Sequence, residues 1–494
     1  MLTVIPQLDA LNKEASELVS LIRYMRNRLT PINRLARDVI ALIPEFLSSR
    51  ERVVLTHVCR AWRQIFISCA SLWTNFYYRD TEKTRTFLER SKSAPISLWL
   101  ERERGLAPND PFIGITPHAI GRLKELYVKT MPDHLEDITK HLVHPAPLLR
   151  AMAIDGGAAL EHGLTPVLKN TLFDGDLSSV CELCLQSVRT ELPWRNMNNL
   201  TQFTLAFMVQ PTVSLGQLLD FFESSPCLVT ITLLLAAPNF GAQDGRLISL
   251  SHLRLLNICG PPPPSLLLGH LVIPVGAEVV ITLLNSLDPQ VDEILPRSLN
   301  NLNNFSRFTK IYLHVDPLSL SMRLRGPNGR VRIATSPLAP HAAGLATRCL
   351  AQLDLSNIEY LDIANDGTME NELHPVLRSL VNLRTLKVSL CETLPFMLGL
   401  NFLFTSEGVI VCPKLGEFFF RVFGQFHMGI MISIAAARVS KGVPLELVEV
   451  LSFGEPVQTE RVAELEEHVR WVDISVEADR GDYFVDEDSD EEED

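Results

Sequence analysis

The sequence predicts an α/β protein, an N-terminal helical module followed by an irregular repeat solenoid with a mostly parallel sheet. Two observations carry this. Apolar residues recur at helical spacing through the first 73 residues, and from about residue 120 a strand pattern of the form apolar-x-x-apolar-x-apolar returns at near-regular intervals. A third observation bounds the ordered part: the run DEDSDEEED from Asp486 to Asp494 is too polar and self-repelling to build a core. The organisation expected is an amphipathic helix over 1–30, a helical hairpin over 31–76, a bridging helix and strand over 77–119, a repeat array over 120–476 and an acidic tail over 477–494.

In the first segment Leu8, Leu11, Ala15, Leu18, Ile22, Met25 and Leu29 alternate spacings of three and four, a seam of a and d positions. Such a helix is able to self-associate weakly as a coiled coil. Thr30-Pro31 ends it directly before the hairpin, so folding back on that hairpin is the simpler expectation. Next, Leu35, Val39, Leu42, Ile43 and Phe46 fall on one helical stripe, and Val54, Leu55, Val58, Cys59, Trp62, Ile65 and Phe66 fall on a second. Two such short helices are well below the size of a self-sufficient core, so part of their apolar surface must meet the rest of the chain or a partner.

These residues resemble the F-box family, as found in fungal F-box proteins. The likeness lies in Leu35, the step Asp38-Val39-Ile40, the closing turn Ile43 to Leu47, and above all Val58-Cys59-Arg60-Ala61-Trp62-Arg63, which matches the family's Val-Cys-(Lys/Arg)-x-Trp signature. Where the family usually carries Leu-Pro, this chain has Leu35-Ala36. The resemblance implies a non-catalytic substrate receptor of a cullin-RING ubiquitin ligase. Leu35, Val39, Ile43, Val58 and Trp62 would face a Skp-type adaptor or lock the hairpin, and the remainder of the chain would capture a protein substrate. The alternative is a non-ligase interaction scaffold in which the hairpin only caps the array.

After the hairpin, Thr84, Phe87, Leu88 and Ser91 share a helical face, and Ile96 to Leu100 alternate like a strand. Copies of the array pattern begin at Leu123, Leu149, Val180, Leu200, Leu228, Leu253, Phe308, Ile358, Leu383, Leu415 and Val469. Most starts lie 20 to 32 residues apart; three gaps of 50 to 55 contain weaker strands at Val279 to Leu283, Val331 to Ile333 and Leu445 to Leu451. This resembles degenerate leucine-rich repeats, with the usual Asn after each strand mostly missing. Because side chains alternate across a strand, the x positions would share the array's concave face. They are Glu125, Tyr127, Lys129, Glu182, Cys184, Gln186, Lys310, Tyr312, His314, Tyr360, Asp362, Thr385, Lys387, Phe419, Trp471 and Asp473. Tyr127, Tyr312, Tyr360, Lys387 and Trp471 are the candidate substrate contacts, since aromatic side chains anchor protein interfaces.

Other chemistry is not written in the residues. No phosphate-cradling loop, nucleophile elbow or His-Glu-x-x-His run occurs, so neither an enzyme nor a cofactor is expected. Cys181-x-x-Cys184 lacks a second ligand pair, and His141 with His144 is no site by itself. Nine scattered cysteines, and an opening stretch Met1 to Pro6 that is short and is followed by a segment interrupted by Asp9, Lys13 and Glu14, point to the cytosol or nucleus. The apolar stretch Leu266 to Leu284 is broken by His270, Pro274 and Glu278 and reads as core rather than membrane. Net charge is −13, of which eight negatives lie in the tail, leaving a near-neutral body with no basic stripe for nucleic acid. Pro261 to Pro264 reads as a rigid connection. Removing Asp486 to Asp494 is expected to leave the thermal midpoint unchanged, since the run offers no apolar area to bury; a midpoint several degrees lower would show that the tail packs.

Overall fold

The computed structural model describes residues 4–477, apart from 79–80, 103–116, 158–166, 170, 191–196, 207–212, 235–244, 261–262, 285–290, 317–318, 336–341, 366–372, 391–393, 407, 409, 423–424 and 454–456. The acidic tail, with Ser489, therefore lies outside the described residues. The chain divides into two compact units, Met1–Met197 and Asn198–Asp494. Each is a mixed α/β assembly built on a mostly parallel sheet.

The first unit opens with helix α1 (Val4–Leu29), followed by a 3-10 turn at Pro31–Arg34. Leu8, Leu11, Leu18, Ile22, Met25 and Leu29 are all exposed, so the expectation that this seam folds back on the next helices is corrected. Thr30 is extended before Pro31, and Leu35 and Ala36 are extended again, so two non-helical steps separate α1 from the next α-helix. Residues 31–76 are also not a two-helix hairpin. They form α2 (Arg37–Leu42), a 3-10 turn (Ile43–Phe46), α3 (Ser49–Leu55), α4 (Arg60–Ser68) and a last turn (Ala70–Trp73). The second stripe runs in phase through residues 54–66, yet the backbone breaks at 56–59. Thr56 turns its hydroxyl onto the Val53 carbonyl at 2.7 Å, and Cys59 is extended and N-caps α4 through its thiol. Ser48 starts α3 with a reciprocal capping box to Glu51, the arrangement that satisfies two otherwise orphaned N–H groups.

Five parallel strands come next in chain order: β1 (Asn75–Tyr77), β2 (Ile96–Arg102), β3 (Leu123–Thr130), β4 (Ala151–Asp155) and β5 (Glu182–Gln186). Helix α5 (Thr81–Arg90) lies between β1 and β2 and buries Thr84 and Phe87 on its inner side. The parallel ladder thus already includes strands upstream of residue 120. Arg122, buried before β3, donates to the Ser91 hydroxyl and to the carbonyls of Lys92 and Ala94, tying the end of α5 to the sheet.

In the second unit the strands are β6 (Gln202–Ala206), β7 (Thr230–Leu234), β8 (Leu255–Gly260), β9 (Glu278–Leu283), β10 (Lys310–Val315), β11 (Leu320–Gly326), β12 (Gly329–Thr335), β13 (Tyr360–Asn365), β14 (Thr385–Leu390), β15 (Glu417–Val422), β16 (Leu445–Phe453) and β17 (Val469–Glu477). Every copy of the pattern read from the sequence in this unit is a strand, and so are the three weaker candidates. The neighbours run β6-β7-β8-β9-β12-β11-β10-β13-β14-β15-β16-β17. Among the described residues only β11 is antiparallel, to β10 on one side and β12 on the other, so a three-stranded meander stands where one repeat strand would. Its hairpin closes through Pro327-Asn328 with Gly329 at φ +146, where an added Cβ would lie 2.6 Å from the Ala277 carbonyl oxygen.

A recurrent backbone junction sets the register. The carbonyl before one strand accepts the N–H groups of two successive residues at the start of the next: Arg150 from Cys181 and Glu182, Val229 from Arg254 and Leu255, Glu359 from Arg384 and Thr385, Arg384 from Gly416 and Glu417, Gly416 from Glu446 and Leu447. Between junctions, alternate residues such as Ile311, Leu313 and Val315, or Leu386 and Val388, are buried on one face, and those between them are half-buried or exposed on the other. Helix α6 (Pro132–Thr139) in the first unit and α7 (Leu215–Glu223), α8 (Pro264–Leu268), α9 (Ala342–Ala351), α10 (His374–Ser379), α11 (Leu394–Thr405), α12 (Gln425–Ser440) and α13 (Thr459–Glu466) in the second fill the connections. Leu266 to Leu284 is core, as the sequence suggests, but as the end of α8 and then β9. Among the described residues no helix is long and apolar enough to cross a membrane.

Arg438 of α12 is buried and donates to three carbonyls, those of Val411 at 3.0 Å, Cys412 at 3.2 Å and Leu415 at 2.9 Å. These belong to the turn that delivers the chain into β15. Arg438→Met keeps the volume but strands all three acceptors, so it is expected to cost about 3 kcal/mol, read as a lowered urea midpoint. A loss below about 1 kcal/mol would show that the turn finds water instead.

Candidate functional site

Short helices α2, α3 and α4 hold one another through a small set of contacts. Trp62 of α4 is only 7% exposed, its ring meets Phe66 edge-on at 5.4 Å, and its indole N–H donates to the Asn33 side-chain oxygen at 2.5 Å. Arg52 of α3 donates from Nε to the carbonyls of Pro44 at 3.0 Å and Leu47 at 2.9 Å, closing the turn after α2. Ile40 is buried beneath them. At the other end Trp73 donates to the Phe66 carbonyl at 2.8 Å, meets Phe87 of α5 edge-on at 5.0 Å and carries the Arg90 guanidinium 4.4 Å over its ring. Two hydrogen bonds from Ser48 hold the Glu51 carboxyl below its ordinary range.

What these contacts leave uncovered is apolar. Leu35 is 45% exposed, Val39 46%, Leu42 51%, Phe46 87%, Val54 58% and Val58 55%. Of the residues the sequence assigns to adaptor binding, Leu35, Val39 and Val58 lie on the surface, Ile43 is half-buried and Trp62 is part of the internal lock. Scattered exposed hydrophobes are ordinary, but six of them on a module of three short helices form a surface with an energetic reason to be covered. Phe46 and Leu42, the most exposed of the first stripe, are missing from the sequence-assigned set although the same periodicity contains them.

The helix start is also settled. Ala36 is the N-cap of α2 with φ −57 and ψ 148, and Leu35 before it is extended at ψ 148. Proline fits both conditions: its φ is fixed near this value, and it requires an extended residue before it. Ala36→Pro is therefore expected to stabilise the chain by about 0.4 to 1 kcal/mol by restricting the unfolded state. A lowered thermal midpoint would mean that α2 begins before Arg37.

The sheet offers a second surface. All sixteen x positions named from the sequence lie on the open face of their own unit's sheet, six in the first unit and ten in the second. In the first unit Tyr127 is half-buried, and desolvation is the leading reason its phenol is raised. In the second unit the register aligns Tyr312, Asp362, Lys387 and Phe419 in one row and Lys310, Tyr360 and Thr385 in the adjacent one. The rings of Tyr312 and Tyr360 lie 5.5 Å apart, and Lys387 Nζ is 3.4 Å from Asp362 Oδ2. Burial pushes the Asp362 carboxyl up, and Lys387 offsets part of that. Trp471, 63% exposed on β17, stands three strands beyond Lys387 and apart from the tyrosine pair. Sequence reasoning missed the contribution of β11 and β12, whose Arg323, Arg325, Arg330 and Arg332 share this face. The expectation of a body without a basic stripe is corrected accordingly.

Cys181 precedes β5, and Cys184 sits half-buried on the open face, where desolvation raises its thiol above the ordinary value and so disfavours the thiolate a metal requires. His141 and His144 occupy the loop after α6. Among the described residues no group of three or more His, Cys, Asp and Glu is placed to hold a metal ion. No protein-family model matches the chain, and no curated protein matches it.

Proposed function

We propose that the chain is the substrate-recognition subunit of a Skp-cullin-F-box ubiquitin ligase, residues 31–76 docking on a Skp-type adaptor as an F-box and the strands behind them capturing a protein substrate as a degenerate leucine-rich-repeat-like solenoid. The observation that carries this reading is the apolar surface left open by α2 and α3 at Leu35, Val39, Leu42, Phe46, Val54 and Val58. The signature Val58-Cys59-Arg60-Ala61-Trp62-Arg63 supports it from the sequence side. A hairpin serving only to cap the array would bury that stripe against its own strands, so the scaffold alternative has the less support.

In this reading the two parts bind and neither performs chemistry. Trp62 fixes the arrangement of helices from within, and Leu35, Val39 and Val58 meet the adaptor directly. The open sheet faces are the capture surfaces, with Tyr127 on that of the first unit and Tyr312, Tyr360, Lys387 and Trp471 on that of the second. Weak self-association, if it occurs, runs through the exposed seam of α1. The setting is the cytoplasm or nucleus, where cullin-RING ligases act.

Because Leu35 and Val39 are about half exposed, Leu35→Ala with Val39→Ala is expected to leave stability within about 0.5 kcal/mol. Adaptor affinity should fall by on the order of 2 kcal/mol, roughly 30-fold in Kd. Titration of the purified chain with a Skp-type adaptor checks this. Unchanged affinity in the double variant would remove the docking role.

A further inference from the structure

We infer that α1 is a dimerisation helix that pairs, in antiparallel register, with α1 of a second copy of this chain; this goes beyond the receptor reading above and does not rest on it.

The helix is tied down at one end and bare along its sides. The Asn33 side chain donates to the Asn27 carbonyl at 2.6 Å and the Thr30 hydroxyl to that of Arg26 at 3.3 Å, which hold the last turn to the 3-10 segment after it. From residue 7 to the end of α1 every residue except Asn27 is exposed. Most helix stability in proteins comes from packing an amphipathic face, and α1 runs about 39 Å. Its seam residues Leu8, Leu11, Leu18, Ile22, Met25 and Leu29 are each more than half exposed.

Charge sets the direction of pairing. Asp9, Glu14 and Glu17, with Lys13 among them, precede Arg23, Arg26 and Arg28, and no acid stands among those arginines. Parallel pairing would place the three arginines of one copy beside those of the other, and would set Glu14 near Val19 and Leu21 near Arg26. Antiparallel pairing lays the acidic half of each helix along the basic half of the other, a twofold arrangement that closes on itself.

The positions beside the seam set the register. When Leu18 of each copy meets Ile22 of the other, Ala15 meets Met25 and Leu11 meets Leu29. Glu14 then stands opposite Arg28, twice in the dimer. Among the described residues neither has an ion pair within its own chain, and Arg28 lies 5.9 Å from the centre of the Tyr24 ring on the same helix. Val19 and Leu21 are exposed apolar residues where a coiled coil ordinarily carries charge, and in this register each meets its own counterpart at the twofold axis. A slip of seven residues would set Glu14 beside Leu21, Asn12 beside Val19, and Arg28 beside Gln7.

Sedimentation velocity of the full chain should show a monomer–dimer equilibrium with Kd on the order of 10 μM. Leu18→Lys with Ile22→Lys should be monomeric at about 100 μM, and at about 0.5 μM, where both chains are monomers, should keep the wild-type urea midpoint because both positions are exposed. Glu14→Arg should weaken the dimer about tenfold, and adding Arg28→Glu to that chain should restore it. In a glutathione redox buffer, a mixture of Leu11→Cys and Leu29→Cys chains should give a disulfide-linked dimer, and neither chain alone should exceed the wild-type background of its nine native cysteines. A wild type that stays monomeric at about 100 μM would overturn the proposal, as would a dimer that survives the two lysines, which would place the interface elsewhere. So would linkage of the Leu29→Cys chain with itself, which only parallel helices allow, or a charge reversal that fails to restore pairing. A lowered urea midpoint in the lysine variant would overturn it too, by giving the seam to the chain's own body.

Discussion

The interaction on which the strand register most depends is the doubled acceptor that recurs at the strand junctions, once in the first unit and repeatedly in the second. A carbonyl that receives two successive N–H groups fixes where the next strand starts, and a strand's start decides which of its residues face inward. A slip of one residue would bury Lys387 and Asp362 and expose Leu386 and Val388. Backbone groups do most of this fixing, helped by side chains such as Asn301, which donates to the carbonyls of Leu268 and Leu271, and Arg438, which gathers three carbonyls before β15.

How much of this was legible depends on which forces leave a periodic trace. The parallel strands do, because Leu, Ile, Val and Phe must recur every second residue wherever one face is dry, as in Leu361 and Ile363 or Phe418 and Phe420. The strand Leu320–Gly326 was equally periodic, and Gly326-Pro327-Asn328-Gly329 marks its turn, but a template of parallel repeats has no place for an antiparallel strand. With that strand went the arginine cluster, which exists only once the hairpin pairs. The break at 56–59 left no trace in the stripe, since a local hydroxyl bond and a thiol cap made it. Nothing in the sequence marks Arg122 and Arg438 as buried, because their partners are carbonyls many residues away.

The candidate site was legible in part for the same reason. Helical periodicity identified Leu35, Val39 and Val58 as apolar positions, and the structure places them outside. Periodicity cannot say which of two apolar stripes is self-satisfied. Trp62 and Val58 belong to one stripe, yet one locks the module and the other is exposed, a distinction made by Asn33 and Phe66 rather than by spacing. The seam of α1 poses the same ambiguity, resolved in favour of exposure by extended residues at Thr30, Leu35 and Ala36.

The central claim is that the apolar surface of α2 and α3 is a docking face and not a defect of packing. Amide hydrogen exchange of the full chain, alone and with a Skp-type adaptor, tests it most directly, because short helices with few internal contacts open readily until something covers them. The account predicts that the adaptor slows exchange through residues 35–47 and 54–62 while β13 to β16 exchange as before. Protection confined to the sheet, or none anywhere at saturating adaptor, would contradict it.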